Sequence, residues 1–270
     1  MILKYKFLGY DEGKQTLGTY DTTNPDWGWT LNIDDYPLAR DLQHIGTNLA
    51  LVGFDRGYFE LDSKSGQIHK VVDRWKDVSS CRRMENGNTL VTGLDLEEKG
   101  INVLTLNPRD ELVNVATREG VYVRMMRPTD SGTFLIGSDS HFLETNSELI
   151  EIQKLSHDKF LHAWLAHRYK DGSTIVSAGY GAFMAKFDKA GQLLETFGGH
   201  NEVPEEIAPF FYAAFEILPD GGVLVANWQG HGRDNGTKGK QLVEFDINGK
   251  YRGSWSNPER ISSLQGLLLL

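Results

Sequence analysis

Residues 162–199 read HAWLAHRYKDGSTIVSAGYGAFMAKFDKAGQLLETFGG. In this stretch, four apolar runs of strand length are separated by turn residues, most clearly at 171–172 (Asp-Gly) and 188–191. Asp-Gly pairs supply the positive φ that tight hairpins require, and Ile175 and Phe183 are residue types that favour strands. The stretch therefore predicts a four-stranded antiparallel sheet. Such a sheet has two apolar faces, so it must stack against other sheets of its kind.

Both hairpins of this unit recur along the chain. The second hairpin returns every 40 to 60 residues or so, at 11–14, 62–66, 107–110, 145–148, 188–191 and 246–249. In the first hairpin a glycine is followed three residues later by an aliphatic residue, and its versions begin at Gly46, Gly87, Gly132, Gly172 and Gly221. A repeat of roughly this length is typical of the blades of a propeller.

The two ends of the chain complement each other. The N-terminus begins directly with a second hairpin, and the C-terminus ends in the strand-like run 261–270. We therefore predict an all-β, six-bladed β-propeller of four-stranded antiparallel blades that forms one domain over residues 1–270. In this prediction the C-terminal inner strand or strands pair with outer strands formed by residues 2–20. Circular closure of this kind removes exposed sheet edges.

A pattern of "Asp-Gly-x-x-Leu-Val" followed by "Phe-Asp-x-x-Gly" is repeated in the chain. It is clearest in KDGSTIVSAGYGAFMAKFDKAGQ (170–192) and PDGGVLVANWQGHGRDNGTKGKQLVEFDINGK (219–250). This pattern resembles the broad group of PQQ-like, NHL-like and WD40-like repeat propellers. The resemblance implies a six-bladed propeller and covers nearly the whole chain. It does not imply one activity, because proteins of this fold differ in function.

Composition excludes several classes of partner. The formal net charge of −9 repels phosphate groups, so we expect neither nucleic acid nor membrane as a partner. The single cysteine, Cys81, excludes an internal disulfide. No stretch has the length and apolar character of a signal peptide or a membrane span, so we expect a cytoplasmic protein.

The loops that connect blades share one face of a propeller with the loops between the second and third strands of each blade, and function usually resides there. In this sequence they contain most of the histidines and tryptophans, and the loops at 21–37 and 227–239 are long. We predict that this face binds a carbohydrate or a similar polar small molecule at the central channel. The predicted ligand-binding residues are Trp29, Arg124, His141, His162, Tyr212, Asn227, Trp228 and His231.

The segment 227–231 carries the sugar prediction. An indole ring stacks on the C–H face of a sugar, while flanking amides bond its hydroxyl groups. In the competing interpretation Trp228 fills the space between two blades and His231 is solvated. Arg124 and His162 fall at the same level of neighbouring blades, where we favour a ligand role over simple filling of the channel mouth.

Two other functions fit the same residues. One is a histidine-dependent lyase or hydrolase, with His162, His231 and Tyr212 as candidate catalytic residues. A divalent metal bound by His141, His162, His200 and His231 would assist such an enzyme, although no HxH or HExxH spacing requires it. The leading prediction has no cofactor and no metal. The other function is a protein-interaction scaffold that uses the rim.

Overall fold

The computed structural model describes residues 3–270 as a ring of six β-sheets, each with four antiparallel strands. The predicted six-bladed propeller is therefore confirmed. Within this range the helical content is a single 3-10 turn, Glu205–Ile207, and no helix is long and apolar enough to cross a membrane. Met1 and Ile2, which belong to the predicted domain, lie outside the described residues.

Five blades are built from consecutive strands, each beginning with the innermost strand. Blade 1 contains β4 (Asp41–Gly46), β5 (Leu49–Phe54), β6 (Gly57–Asp62) and β7 (Ile68–Asp73). Blade 2 contains β8 (Val78–Arg83), β9 (Thr89–Leu94), β10 (Ile101–Leu106) and β11 (Leu112–Arg118). Blade 3 contains β12 (Met126–Pro128), β13 (Phe134–Gly137), β14 (His141–Thr145) and β15 (Glu151–Ser156). Blade 4 contains β16 (Ala166–Arg168), β17 (Thr174–Ser177), β18 (Met184–Phe187) and β19 (Leu193–Phe197). Blade 5 contains β20 (Phe211–Ile217), β21 (Val223–Trp228), β22 (Leu242–Phe245) and β23 (Tyr251–Trp255).

Blade 6 joins the two ends of the chain. It consists of β24 (Leu264–Leu269), β1 (Lys6–Asp11), β2 (Thr16–Asp21) and β3 (Thr30–Asn32), in that order. Strand β24 is antiparallel to β1, with Leu269 opposite Phe7, and it contacts the innermost strands of blades 1 and 5. The predicted closure is confirmed.

The composition of blade 6 corrects one detail of the prediction. The C-terminus supplies one strand, and the hairpin at 11–14 joins the second and third strands rather than the third and fourth. The fourth strand is β3, which pairs with β2 through only three residues. Because it is so short and follows a loop rich in polar residues, the sequence pattern did not reveal it. The loop predicted at 21–37 is accordingly divided by β3.

Turn glycines and interblade packing explain why these residues form this ring. Gly87, Gly132, Gly172 and Gly221 adopt φ values between +79° and +87°, a region that residues with a Cβ atom rarely adopt. The apolar core lies between adjacent blades; Phe142, Phe160 and Phe187, for example, join blades 3 and 4. Each such buried ring stabilises the fold by about 1.5–3 kcal/mol.

The two faces of the ring differ in their connections. We call upper the face that carries the loops between blades and the loops between second and third strands. The lower face carries the turns between first and second strands and those between third and fourth strands. Both faces open on the central channel, which is lined by β4, β8, β12, β16, β20 and β24.

Candidate functional site

At the upper end of the channel the structure brings Arg124 and His162 together. Nη2 of Arg124 donates a hydrogen bond to Nδ1 of His162 at 3.1 Å, and Nε2 of His162 lies 3.5 Å from a carboxylate oxygen of Asp139. An arginine can only donate, so His162 carries its proton on Nε2. Burial and the neighbouring Arg124 lower the pKa of His162, which keeps it neutral at pH 7. Nδ1 of His162 is thus engaged with Arg124 while Nε2 faces Asp139, and this arrangement does not suit His162 to act as a general base.

Unpaired donors surround Trp164, just inside the upper end. The guanidinium of Arg124 lies 4.4 Å from the ring of Tyr122 and 5.5 Å from that of Trp164, and the guanidinium of Arg40 lies 5.2 Å from Trp164. Nε of both arginines, Nε1 of Trp164 and the hydroxyl of Tyr122 are buried without a hydrogen-bond partner among residues 3–270. Buried donors normally have acceptors, so this part of the channel is suited to an acceptor-rich group.

Below Arg40 the channel widens into a cavity of about 1070 Å³ that opens on the lower face. A volume of this order accommodates a small-molecule ligand. Its wall includes aliphatic side chains of the inner strands, such as Leu42, Leu165 and Leu267. Its charged and titratable lining residues are Arg40, His44, Arg82, Arg127, Asp130, His167, Arg168, Tyr169, Lys170 and Glu216. In a chain with a net charge of −9, this lining is rich in cations.

Most of these arginines are paired with buried acids. Asp41 accepts hydrogen bonds from Nη2 of Arg82 at 2.7 Å and Nη2 of Arg127 at 2.8 Å, while Oγ of Ser80 donates to its other oxygen. Burial alone would raise the pKa of Asp41, but Arg127, Arg82 and Ser80 together lower it. Arg168 pairs in the same way with Glu144. Asp41 is therefore the charged centre that joins blades 1, 2 and 3.

Arg40 differs from the other arginines that line the lower cavity because it has no carboxylate partner among residues 3–270. Burial and the neighbouring positive charge of Arg124 lower the pKa of Arg40 to about 10. At pH 7 it is still protonated. The lower cavity thus holds a half-buried cation, with its Nε buried, that has no counter-ion in direct contact among residues 3–270.

Glu216 is the acidic counterpart on the opposite wall. Burial raises the pKa of Glu216 to about 7, although Arg82 and Arg127 act in the other direction. Glu216 on the first strand of blade 5 pairs with Leu224 on the second strand. The residues at the same position of blades 2, 3 and 4 are Arg82, Arg127 and His167, which pair with Leu90, Leu135 and Ile175. These four residues form the charged ring of the cavity: Arg82, Arg127, His167 and Glu216.

The eight predicted ligand-binding residues do not line this cavity. Asn227 is buried, and its amide nitrogen donates to the carbonyl groups of Ile207, Ala208 and Lys240 while its oxygen accepts from the backbone of Phe210. Trp228 is only 2% exposed, and its indole nitrogen donates to Glu12. The structure gives both side chains a role in joining loops and blades, which corrects the placement of Trp228 as an open stacking surface.

Other predicted residues are also dispersed. Tyr212 is fully buried between blades, and its hydroxyl donates to the carbonyl of Gly198. His141 begins the third strand of blade 3, away from the channel wall. Trp29 lies at the outer edge of blade 6, where its indole nitrogen donates to the carbonyl of Ser63 near the lower face. These positions follow from the order of the strands. Only Trp29 lies in a different kind of loop from the one predicted, because it precedes β3, the fourth strand of blade 6.

His231 and His200 line a second, smaller cavity of about 560 Å³ on the upper face, together with Phe210. His231 is exposed, and its Nδ1 contacts Glu12 at 2.8 Å. Among residues 3–270, no three His, Cys, Asp or Glu side chains gather in a way that would hold a metal ion. The four histidines of the alternative metal site therefore do not converge.

The role of Asn227 is open to a direct test. We expect Asn227→Ala to reduce the free energy of unfolding by about 2–3 kcal/mol, because it removes a buried amide and leaves several backbone groups without partners. Chemical denaturation measures this, and limited proteolysis should show faster cleavage within 229–241. The matched control is Asn201→Ala on the same face, an exposed residue at which we expect a change below about 0.5 kcal/mol. An unchanged stability of Asn227→Ala would contradict the structural role.

The fold is similar to that of several solved propellers. A protein of unknown function from Bacteroides caccae aligns over 99% of both chains with a TM-score of 0.80 and 18% identity. The WD40 β-propeller domain of Doa1 aligns over 96% of this chain and 81% of that chain, with a TM-score of 0.63 and 15% identity. A chain of the nidogen/laminin complex aligns over 99% of this chain and 98% of that chain, with a TM-score of 0.71 and 9% identity. No family model and no curated protein matches the sequence. At these identities the likeness concerns the fold alone.

The residues that sequence reasoning missed are Arg40, Arg82, Arg127 and Glu216. A signal for three of them was present: Arg82, Arg127 and Glu216 each stand five residues before the glycine of a first hairpin. So does His167. Aligning the repeats on that glycine and comparing this one column would have revealed titratable side chains at one level of the channel. Arg40, which precedes β4, carries no such signal.

Proposed function

We propose that this protein binds a small organic anion in the lower cavity of its central channel. The observation that carries the proposal is Arg40, a half-buried side chain whose guanidinium lines the cavity, whose Nε is buried without a partner, and which has no acidic partner among residues 3–270. A buried charge without a partner destabilises a fold by several kcal/mol. Groups held in such an unfavourable state are concentrated at functional sites.

The surroundings of Arg40 support a carboxylate or a similar oxyanion. Nε1 of Trp164 and Nε of Arg124 lie nearby without acceptors, and the cavity wall beneath adds Arg168 and Lys170. The aliphatic part of the wall suits the carbon skeleton of an organic acid rather than a bare ion. Sugar acids belong to the proposed class. Neutral sugars are the contrast, because the stacking surface expected of Trp228 is buried.

Replacing Arg40 should produce two effects of opposite sign. In the apo protein, Arg40→Met is expected to increase the free energy of unfolding by about 1–2 kcal/mol, because a buried cation is replaced by an apolar chain. Binding of organic acids should be lost. A thermal-shift screen of wild type and variant with succinate, citrate, gluconate and phosphate, against glucose and galactose, measures both effects.

The expected size is set by linkage: an acid present at a hundredfold excess over its Kd stabilises the wild type by about 2.7 kcal/mol and leaves Arg40→Met unchanged. Arg109→Met is the matched control, because that side chain is 81% exposed on the lower rim. Stabilisation by neutral sugars alone, or equal stabilisation of wild type and Arg40→Met by the acids, would refute the proposal.

A protein-interaction scaffold is the second candidate. The loops of the upper face expose the apolar side chains of Val121, Leu161, Tyr180 and Phe210. Exposed apolar groups that lie together are typical of interaction surfaces. Because this surface is at the other end of the channel, Phe210→Ser should weaken binding of a partner without altering the response to organic acids.

A further inference from the structure

Glu216 belongs to the charged ring and lines the cavity in which we propose that an anion binds. Arg82, Arg127, His167 and Glu216 come from the innermost strands of four consecutive blades and share one register position. All four line the same cavity. In the absence of a ligand, the carboxyl group of Glu216 is the negative charge that this ring itself provides.

Charged groups on several strands of the cavity wall affect the protonation of Glu216. Arg82 on β8 and Arg127 on β12 favour its charged form, while burial opposes it. Both arginines already share Asp41 of β4. The other titratable groups facing the cavity are His44 on β4, His167 and Arg168 on β16, Asp130, Tyr169 and Lys170 in the lower turns, and Arg40 above. No hydrogen bond to the carboxyl group of Glu216 from residues 3–270 offsets its burial, so its charge is held only by the arginines.

We propose that Glu216 is the internal counter-ion of the cavity, and that an entering anion takes over this role while Glu216 takes up a proton. This inference rests on the proposed binding of anions in the channel. Two negative charges in one buried cavity repel each other strongly, and protonation of Glu216 removes the repulsion. The proton comes from the solvent, so the complex contains one anion and one additional proton.

The linkage predicts how affinity depends on pH. With Glu216 already protonated, affinity is maximal and independent of pH. Above the pKa of Glu216, which burial raises to about 7, affinity should fall by up to tenfold per pH unit. The probe is sulfate, because it does not titrate between pH 6 and 8.5. We expect wild-type affinity for sulfate to decline across this range, whereas Glu216→Gln should bind with a nearly constant affinity.

His167 provides the matched control, since it is the other ring residue that titrates near neutrality. Burial, with a smaller effect of Arg127, lowers the pKa of His167 below its usual value, so its imidazole is neutral at pH 7 and above, where the affinity of the wild type should fall. His167→Gln should therefore keep the pH dependence of the wild type. Isothermal titration in buffers of different ionisation enthalpy counts the protons directly, and uptake approaching one per sulfate at pH 8 is expected for wild type and His167→Gln.

A second readout does not depend on the variants folding. Carbon-13 NMR of the Glu216 carboxyl group in wild type should show its titration midpoint moving to higher pH when sulfate is added. An unchanged midpoint, or a pH slope that persists in Glu216→Gln, would overturn the inference while Arg40-dependent binding leaves the proposed function intact. If neither sulfate nor any organic acid binds, the proposed function fails and this inference fails with it.

Discussion

Deletion of residues 264–270 is expected to abolish cooperative folding. These residues form β24, the innermost strand of blade 6, and they bury Leu264, Leu267 and Leu268. Burial of three leucine side chains contributes about 5–9 kcal/mol, which is comparable to the whole stability of a typical domain. The deletion also exposes the edges of β1 and of the neighbouring inner strands. Circular dichroism and thermal unfolding should show a chain without a cooperative transition.

Removal of Leu270 alone is the matched control, because its side chain is 45% exposed and lies beyond the strand. That variant should unfold like the wild type. A chain ending at 263 that retains a cooperative transition within a few degrees of the wild-type Tm would show that closure of the ring is not required for stability.

The second large effect is expected at Asp41. Its side chain is fully buried and is the shared partner of Arg82 and Arg127. Asp41→Asn removes the carboxylate that both guanidinium groups contact directly, and we expect the free energy of unfolding to fall by about 3–5 kcal/mol at pH 7. Replacing all three groups, with Asp41→Leu, Arg82→Met and Arg127→Met together, should restore most of this loss, because no member of the triad is then left without its partner. Urea unfolding of the single and triple variants measures the difference.

The effect of Asp41→Asn should depend on pH with a definite sign. The folded-state pKa of Asp41 lies below its usual value, so its charge stabilises the fold at neutral pH. That contribution is lost as the pH falls through the folded pKa, below about pH 4. Wild type and variant should therefore converge only in acid. Asp158→Asn is the control, with an 82% exposed side chain and an expected change below about 0.5 kcal/mol. An Asp41→Asn variant as stable as the wild type at pH 7 would show that the triad contributes little.

The propeller itself was predictable because turn chemistry and alternating apolar residues repeat along the chain. Glycines such as Gly132 and Gly172 mark positions with positive φ, and those positions set the number of blades. The fourth strand of blade 6 was not predictable in this way. Strand β3 has three residues, of which Thr30 and Asn32 are exposed, so it lacks the apolar pattern of a buried strand. Its position depends on pairing with β2, which is a tertiary contact.

The site was harder to predict than the fold. Sequence reasoning chose aromatic and histidine residues on the long loops, and it favoured a ligand role for Arg124 and His162, which the structure brings into contact. It considered a buried Trp228 between two blades only as the competing interpretation, and it did not foresee that the Asn227 side chain joins those loops through hydrogen bonds. A side chain such as Arg40 becomes informative only when its missing partner is visible, because charge pairing between distant segments is not encoded in local spacing.

Anomalous diffraction from crystals soaked in selenate tests the account most directly, because selenate is a sulfate analogue whose selenium atom can be located without ambiguity. We predict a selenium peak in the lower cavity with its oxygens at hydrogen-bond distance from Arg40, present in the wild type and absent from Arg40→Met. Selenate bound only at surface lysines and arginines, with none in the channel at a concentration that fills those surface sites, would contradict the claim that the channel is an anion-binding site.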